Sequence, residues 1–183
     1  TGPFAVADWC HEGGFVEMSG GRLTAVLRYQ RAILPTDPPD ILQQTGGSGF
    51  PYKHVFLADS GDGGRTWQNV RQLTTVFGQC YGFPAALDDG TVVVVHDTRY
   101  GPGEPGGRVL VSRDNSATWE DEAYYLYYGA GVSGYSQSVV LDDGFILTVA
   151  GTSEEAEARR VWDAAVGKPD LTSIRWKPVP RAD

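Results

Sequence analysis

The sequence predicts an all-β protein made of β-propeller blades, each a sheet of four antiparallel strands. Three observations lead there. Runs of about four to seven residues rich in Val, Leu, Tyr and Thr are bounded by Gly, Asp or Ser, which is how strands joined by tight turns read. Two octapeptides, SGDGGRTW at 60–67 and SRDNSATW at 112–119, carry Ser, Asp, Thr and Trp at the same four offsets, 52 positions apart. A small acidic or glycine turn followed by an apolar run recurs as MSGGRLTAVLR (18–28), LDDGTVVVVHD (87–97) and LDDGFILTVAG (141–151). A fixed period near 50 residues, with several short strands in each period, is the signature of a propeller blade.

Three units result, roughly 10–77, 78–130 and 131–180. In the first, FVEM, RLTAVLR, HVFLAD and QNVRQL read as strands, and the Pro/Gly-rich insertion LPTDPPDILQQTGGSGFP (34–51) makes the unit long. In the second the strands are GFPAAL, TVVVVHD, RVLVSRD and EDEAYYL. The third has no octapeptide, and LTSIRWKPV (171–179) is its closing strand. Helical periodicity is not sustained anywhere; TSEEAEARRVWDAA (152–165) comes nearest. Because blades bury their faces only against neighbouring blades, residues 1–183 are expected to form a partial propeller, half a ring at most.

With 183 residues, 41% hydrophobic and 21% charged, the chain can bury an ordinary globular core. Twenty-four glycines and eleven prolines fit frequent turns. A net charge of −8 argues against a nucleic-acid partner, since phosphate binding needs a basic face. An anionic substrate would need a local arginine cluster. No apolar stretch reaches membrane-spanning length. The start, TGPFAVADWC, has neither an initiator Met nor a signal peptide and reads as cut from something longer, so it is silent on location. Cys10 and Cys80 fit either a disulfide in a secreted protein or two buried thiols. Neither has metal-ligand spacing, no oxygen cage for calcium stands out, and no metal or cofactor is implied.

Each octapeptide is expected to turn the chain between the third and fourth strands of a blade. Ser and Asp side chains accept from backbone N–H groups in such turns, and the middle Gly permits positive φ. Thr and Trp then lead into the next strand, with the indole packing under the turn. Ser60, Asp62, Thr66 and Trp67, and again Ser112, Asp114, Thr118 and Trp119, are therefore read as structural. A catalytic carboxylate would not be expected to recur once per repeat. Ser116 replaces Gly64 in the second copy.

The pattern S-x-D-x-[GS]-x-T-W resembles the Asp box, or BNR repeat, of sialidases (neuraminidases) and related six-bladed propellers. The resemblance covers nearly the whole chain, as the C-terminal half of such a ring, about three blades. It implies a retaining, exo-acting glycoside hydrolase with a Tyr nucleophile activated by Glu, arginines gripping the substrate carboxylate, and an Asp acid/base. The anomeric carbon of sialic acid bears a carboxylate that repels an anionic nucleophile, and a Tyr hydroxyl whose proton passes to Glu avoids that repulsion. Arginine suits the carboxylate through its planar, permanently charged fork.

By this resemblance HEGGFVEMSGGRLTAVLR (11–28) nominates Glu12 as the base and Arg28 as a carboxylate-binding group, with Arg31 a rival for the latter. GGRVLVSRDNSATW (106–119) nominates Arg108, with Arg99 in VVVVHDTRY competing for that place. GYSQSVVLDDGFILTV (134–149) nominates Tyr135 as the nucleophile. His96 and Asp97 end a buried strand at the level of a central cavity, either to contact substrate or as a hydrogen-bonded structural pair. His11 is incidental.

The sequence also departs from the family pattern. It has no Arg-Ile-Pro segment for the first carboxylate-binding Arg and no early-blade Asp. In LTVAGTSEE, Ala150 and Gly151 stand near the position of a Glu that orients that Arg, and Glu154 or Glu155 fits only with a shifted loop. The expected partners are thus a glycan or sialoside-like substrate, plus the remaining blades or a second copy of the chain. The resemblance implies a secreted or periplasmic protein. The competing expectation is a non-catalytic BNR-repeat propeller that binds glycan or protein. Convergence of Glu12, Arg28, Arg108 and Tyr135 distinguishes the two.

Overall fold

A computed structural model describes residues 9–37, 39, 52–76, 78–98, 106–120, 124–128, 136–152 and 170–179. Among them are eleven strands in three antiparallel sheets. The first sheet runs β1 (Trp9–Glu17), β2 (Leu23–Arg31), β3 (Tyr52–Ser60) and β4 (Gln68–Gln72), in that spatial order. The second repeats the plan with β5 (Gln79–Ala86), β6 (Val92–Thr98), β7 (Gly106–Ser112) and β8 (Tyr124–Tyr128). The third contains β9 (Ser136–Val140), β10 (Ile146–Thr152) and β11 (Asp170–Trp176), with β10 in the middle. Consecutive strands pair as up-and-down neighbours, as a propeller blade requires.

The sheets stack face to face. β5, the first strand of the second sheet, lies against β1, β2 and β3, and β9 lies against β5 and β6. The middle sheet is therefore covered on both sides, which explains the unbroken apolar run Val92–Val95 in β6. Successive side chains point to opposite faces. Val94 packs with Val26, Val55 and Leu57 of the first sheet. Val93 and Val95 pack with Ala85, Val109, Val111 and Ile146 toward the third. Each such valine is fully buried, a contribution of about 1.5–3 kcal/mol per side chain.

Both outer faces of the stack carry exposed apolar side chains. A Cβ on Gly14 would meet Pro84 at 3.0 Å, so Gly14 faces the second sheet and Phe15, 68% exposed, faces away. At the other end Ile146 faces the second sheet, so Leu147, its partner Val139 and Val149 lie on the opposite face. Val139 is 54% exposed.

Both octapeptides join a third strand to a fourth and are built alike. Ser60 Oγ accepts from Gly64 N at 2.9 Å and donates to Asp62 Oδ1 at 2.8 Å. Asp62 accepts from Thr66 N at 2.9 Å and from Thr66 Oγ1 at 2.7 Å. Ser112, Asp114, Ser116 and Thr118 reproduce the set at 2.9, 2.8, 2.8 and 2.6 Å. The two middle residues are left-handed in both copies, Gly63 and Gly64 in the first, Asn115 (φ 55) and Ser116 (φ 65) in the second. Trp119 packs against the core between the first and second sheets, while Trp67 is 42% exposed.

The second octapeptide is also clasped by the first sheet. Arg71 donates to Asp59 at 2.7 Å and to the Ser116 carbonyl at 3.1 Å, and Arg22 donates to the Asn115 carbonyl. Asp59 is buried and also accepts from Thr24 Oγ1 at 2.9 Å and pairs with Arg22 at 3.3 Å.

Candidate active site

Among the described residues, the candidates Glu12, Arg28, Asp97 and Arg108 lie at the strand ends opposite the octapeptides. In the first sheet Leu23 pairs with Ser60, where the octapeptide begins, while Arg28 pairs with Val55. In the second, Val92 pairs with Ser112 and His96 with Arg108. At about 3.3 Å per residue, roughly 13–17 Å of strand separates turn from site. Asp62 and Asp114 therefore lie far from Arg28 and Arg108. Thr66 and Ser60 hold the Asp62 carboxyl down to about 2, the Thr66 N–H contributing most. The Thr118 hydroxyl and N–H, then Ser112, likewise lower Asp114. Carboxylates held ionised by turn donors are poor proton donors near neutrality.

Glu12 owes its position to a β-bulge. The β1–β2 register jumps between His11↔Arg28 and Gly13↔Leu27, leaving Glu12 as the extra residue. A bulge breaks the alternation of faces and re-aims a side chain. Here it brings Glu12 onto Arg28, whose Nη1 donates to Glu12 Oε2. Arg28 Nη2 donates to Gln30 Oε1, two residues along the same face of β2. The ring of Tyr81 lies under the guanidinium, 4.4 Å from centroid to Cζ. Arg28 is 8% exposed and Glu12 is exposed, so the carboxylate forms the solvent side of a largely buried cation.

Tyr81 belongs to β5, where Cys80 pairs with Asp97. One strand further, His96 pairs with Arg108. Arg108 donates to the Tyr125 hydroxyl and stacks on the same ring at 4.5 Å. A continuous row thus leads from Glu12 and Arg28 through Tyr81 and the His96–Asp97 end of β6 to Arg108. Asp97 is 2% exposed and has a polar or electrostatic partner. His96 and Asp97 do not make the side-chain pair considered from sequence, because neighbours in a strand point to opposite faces. Neither ring nitrogen of His96 has a well-formed hydrogen bond. Burial pushes His96 down to about 4, although the Asp97 backbone lies close enough to oppose the shift.

Arg31, the rival of Arg28, is committed elsewhere. It grips Asp37 with both Nη atoms at 2.6 and 2.7 Å and stacks on Tyr52 at 3.5 Å. Tyr135, Arg99, Glu154 and Glu155 lie outside the described residues, as do the side chains of Cys10, His11 and Cys80. The structure therefore joins Glu12 to Arg28, and the Arg28–Tyr81 contact leads from them to the sheet whose register pairs Cys80 with Asp97 and His96 with Arg108. Tyr81, Gln30 and Tyr125 were missed from sequence. Only the fixed spacing of Gln30 from Arg28, on one face of a strand, was visible there.

No family model matches the chain, and no curated protein matches it in sequence. Among solved structures it is similar to a protein of unknown function from Dyadobacter fermentans, with a TM-score of 0.61, 13% identity and coverage of 92% of this chain and 51% of that one. It is also similar to the Hadza microbial sialidase Hz136, with a TM-score of 0.57, 13% identity and coverage of 94% and 34%. The NanB sialidase from Streptococcus pneumoniae gives a TM-score of 0.54, 13% identity and coverage of 80% and 36%. The chain spans about half the length of the first of these structures and about a third of the others. Three antiparallel sheets stacked as blades and these neighbours together establish a sialidase-like propeller fold.

Proposed function

We propose that this chain is the C-terminal half of a sialidase-like, retaining exo-glycoside hydrolase, approximate blades 10–77, 78–130 and 131–180 of a six-bladed Asp-box ring. The observation that carries the reading is the Glu12–Arg28 pair, set by a bulge at the rim remote from both octapeptides. In this mechanism Arg28 and Arg108 bind the substrate carboxylate. As the Tyr135 oxygen attacks the anomeric carbon its proton passes to Glu12, so no anion approaches the carboxylate; the glycosidic C–O bond breaks, the leaving oxygen takes a proton from the acid/base Asp, and water then hydrolyses the tyrosyl intermediate. Arg99 and Asp97 are further substrate contacts. The first carboxylate-binding Arg and the acid/base Asp come from the remaining blades or from a second copy. The exposed apolar side chains Phe15 and Val139 on the two outer faces support such neighbours.

The test is release of fluorophore from a fluorogenic sialoside. The 183-residue chain alone is expected to show little or no turnover, because it carries half of the constellation. A form with the complete ring is expected to turn over and to lose at least about 100-fold on Glu12→Gln or Tyr135→Phe. Unchanged turnover in either variant removes that residue from the mechanism. A complete ring that binds glycan without cleaving it establishes the non-catalytic reading instead.

A further inference from the structure

We infer that Tyr81 is a positioning residue for Arg28, held under the guanidinium by a strained bulge in β5. The inference deepens the proposed function, since it rests on Arg28 as the group that meets the substrate carboxylate.

The bulge is visible in the register. Cys80 pairs with Asp97 and Phe83 with Val95, so Tyr81 and Gly82 together oppose His96 alone. Tyr81 has a φ of 58°, a left-handed conformation that is a genuine outlier for a bulky side chain. Such strain persists only where the surroundings over-determine it, and it gathers at functional sites. The next residue shows what enforces it. A Cβ on Gly82 would lie 2.6 Å from Val26 Cγ1, 2.9 Å from Val55 Cγ1 and 3.1 Å from Val94 Cγ1. The backbone is thus pressed into the core between the first two sheets, and Tyr81, 4% exposed, is turned onto Arg28.

The geometry around Arg28 explains why a ring is needed there. Two edge contacts, Nη1 to Glu12 and Nη2 to Gln30, set the direction of the guanidinium within its plane. They leave rotation of that plane open, and Nε has no hydrogen bond to fix it. A π face 4.4 Å away favours the parallel orientation and repays part of the desolvation of a buried cation. A fixed plane matters for bidentate recognition of a carboxylate, because both N–H vectors must aim together.

The experiment compares wild type, Tyr81→Phe, Tyr81→Leu and Tyr81→Gly in the chain as it stands. Tyr81→Phe keeps the π face, Tyr81→Leu keeps apolar volume without it, and Tyr81→Gly removes the ring while accepting the positive φ. The primary readout is ¹⁵Nε relaxation of the Arg28 side chain, which needs no ligand. Wild type and Tyr81→Phe are expected to be rigid; Tyr81→Leu and Tyr81→Gly are expected to be mobile while still folded by circular dichroism. Should Tyr81→Leu fail to fold, Tyr81→Gly decides. An Arg28 as rigid as wild type in the ring-free variant that folds overturns the inference.

A second readout separates this inference from the reading beneath it. The methyl glycoside of N-acetylneuraminic acid and its carboxyl methyl ester are titrated against the complete ring. Tyr81→Leu is expected to weaken the acid at least about fivefold and leave the ester unchanged, with Tyr81→Phe restoring the acid. If Arg28→Met binds the acid as well as wild type, the carboxylate role of Arg28 falls, while the relaxation result still decides Tyr81.

Discussion

Lowering the pH from about 7.5 to 4.5 is expected to remove a large part of the stability through two buried histidines. Burial pushes both His54 and His96 from 6.5 down to about 4, the nearby guanidiniums of Arg31 and Arg108 adding to the effect. The unfolded chain therefore takes up a proton at each site near pH 6.5, and the native state only near pH 4. With more protons bound to the unfolded state, the stabilisation is fully present above 6.5 and is lost as pH falls toward 4. One pH unit is worth about 1.4 kcal/mol per proton, so each histidine withdraws about 3 kcal/mol across that window. Two together withdraw about 6 kcal/mol, against the 5–15 kcal/mol usual for a native protein. Asp62, with a native value of about 2 against 3.8, loses its contribution only below 3.8. Urea unfolding followed by Trp fluorescence at several pH values measures the slope. His96→Phe, which gives up no ring hydrogen bond, is expected to lower the slope by about half. Equal stability at pH 7.5 and 4.5, or an unchanged slope in His96→Phe, refutes the reasoning.

Two further outcomes concern stability alone. Asp59→Ala strands Arg22 and Arg71 and opens the clasp on the second octapeptide, so a loss of about 2–4 kcal/mol is expected in urea unfolding at neutral pH. Arg71→Ala leaves Asp59 with Thr24 and Arg22, and a smaller loss of about 1 kcal/mol is expected. Gly82→Ala places a methyl group into three valines and is expected to cost about 1–3 kcal/mol, read as a lowered melting temperature.

Most strands were legible because their information is local. β2, β3, β6 and β7 are apolar runs ended by turn residues, and the Ser–Asp–Thr hydrogen bonds that close each octapeptide lie within its own eight residues. What was illegible depends on register or on partners distant in sequence. The bulges at Glu12 and at Tyr81–Gly82 leave no mark in the residue pattern, because alternation is broken by the pairing and not by composition. β1 begins at Trp9, well before the apolar stretch at Phe15, since its first half, with Gly13 and Gly14, lacks the expected side chains. Arg28 and Arg31 look equivalent in the sequence; they were separated by Asp37, whose carboxylate occupies Arg31. The clasp joins Arg22 to Asn115 and Arg71 to Ser116, far apart in the chain, through backbone carbonyls that no motif records.

The separation of octapeptide and site to opposite ends of the same strands bears on how such a chain can evolve. The Ser–Asp–Thr hydrogen bonds that close the turn lie within eight residues, so duplicating a sheet copies that scaffold part whole, as the near-identical hydrogen bonds of the two copies illustrate. The other end depends on bulges and partners peculiar to each sheet, and duplication leaves it unspecialised. Divergence can then rework one rim, sheet by sheet, while the opposite rim keeps every new unit foldable.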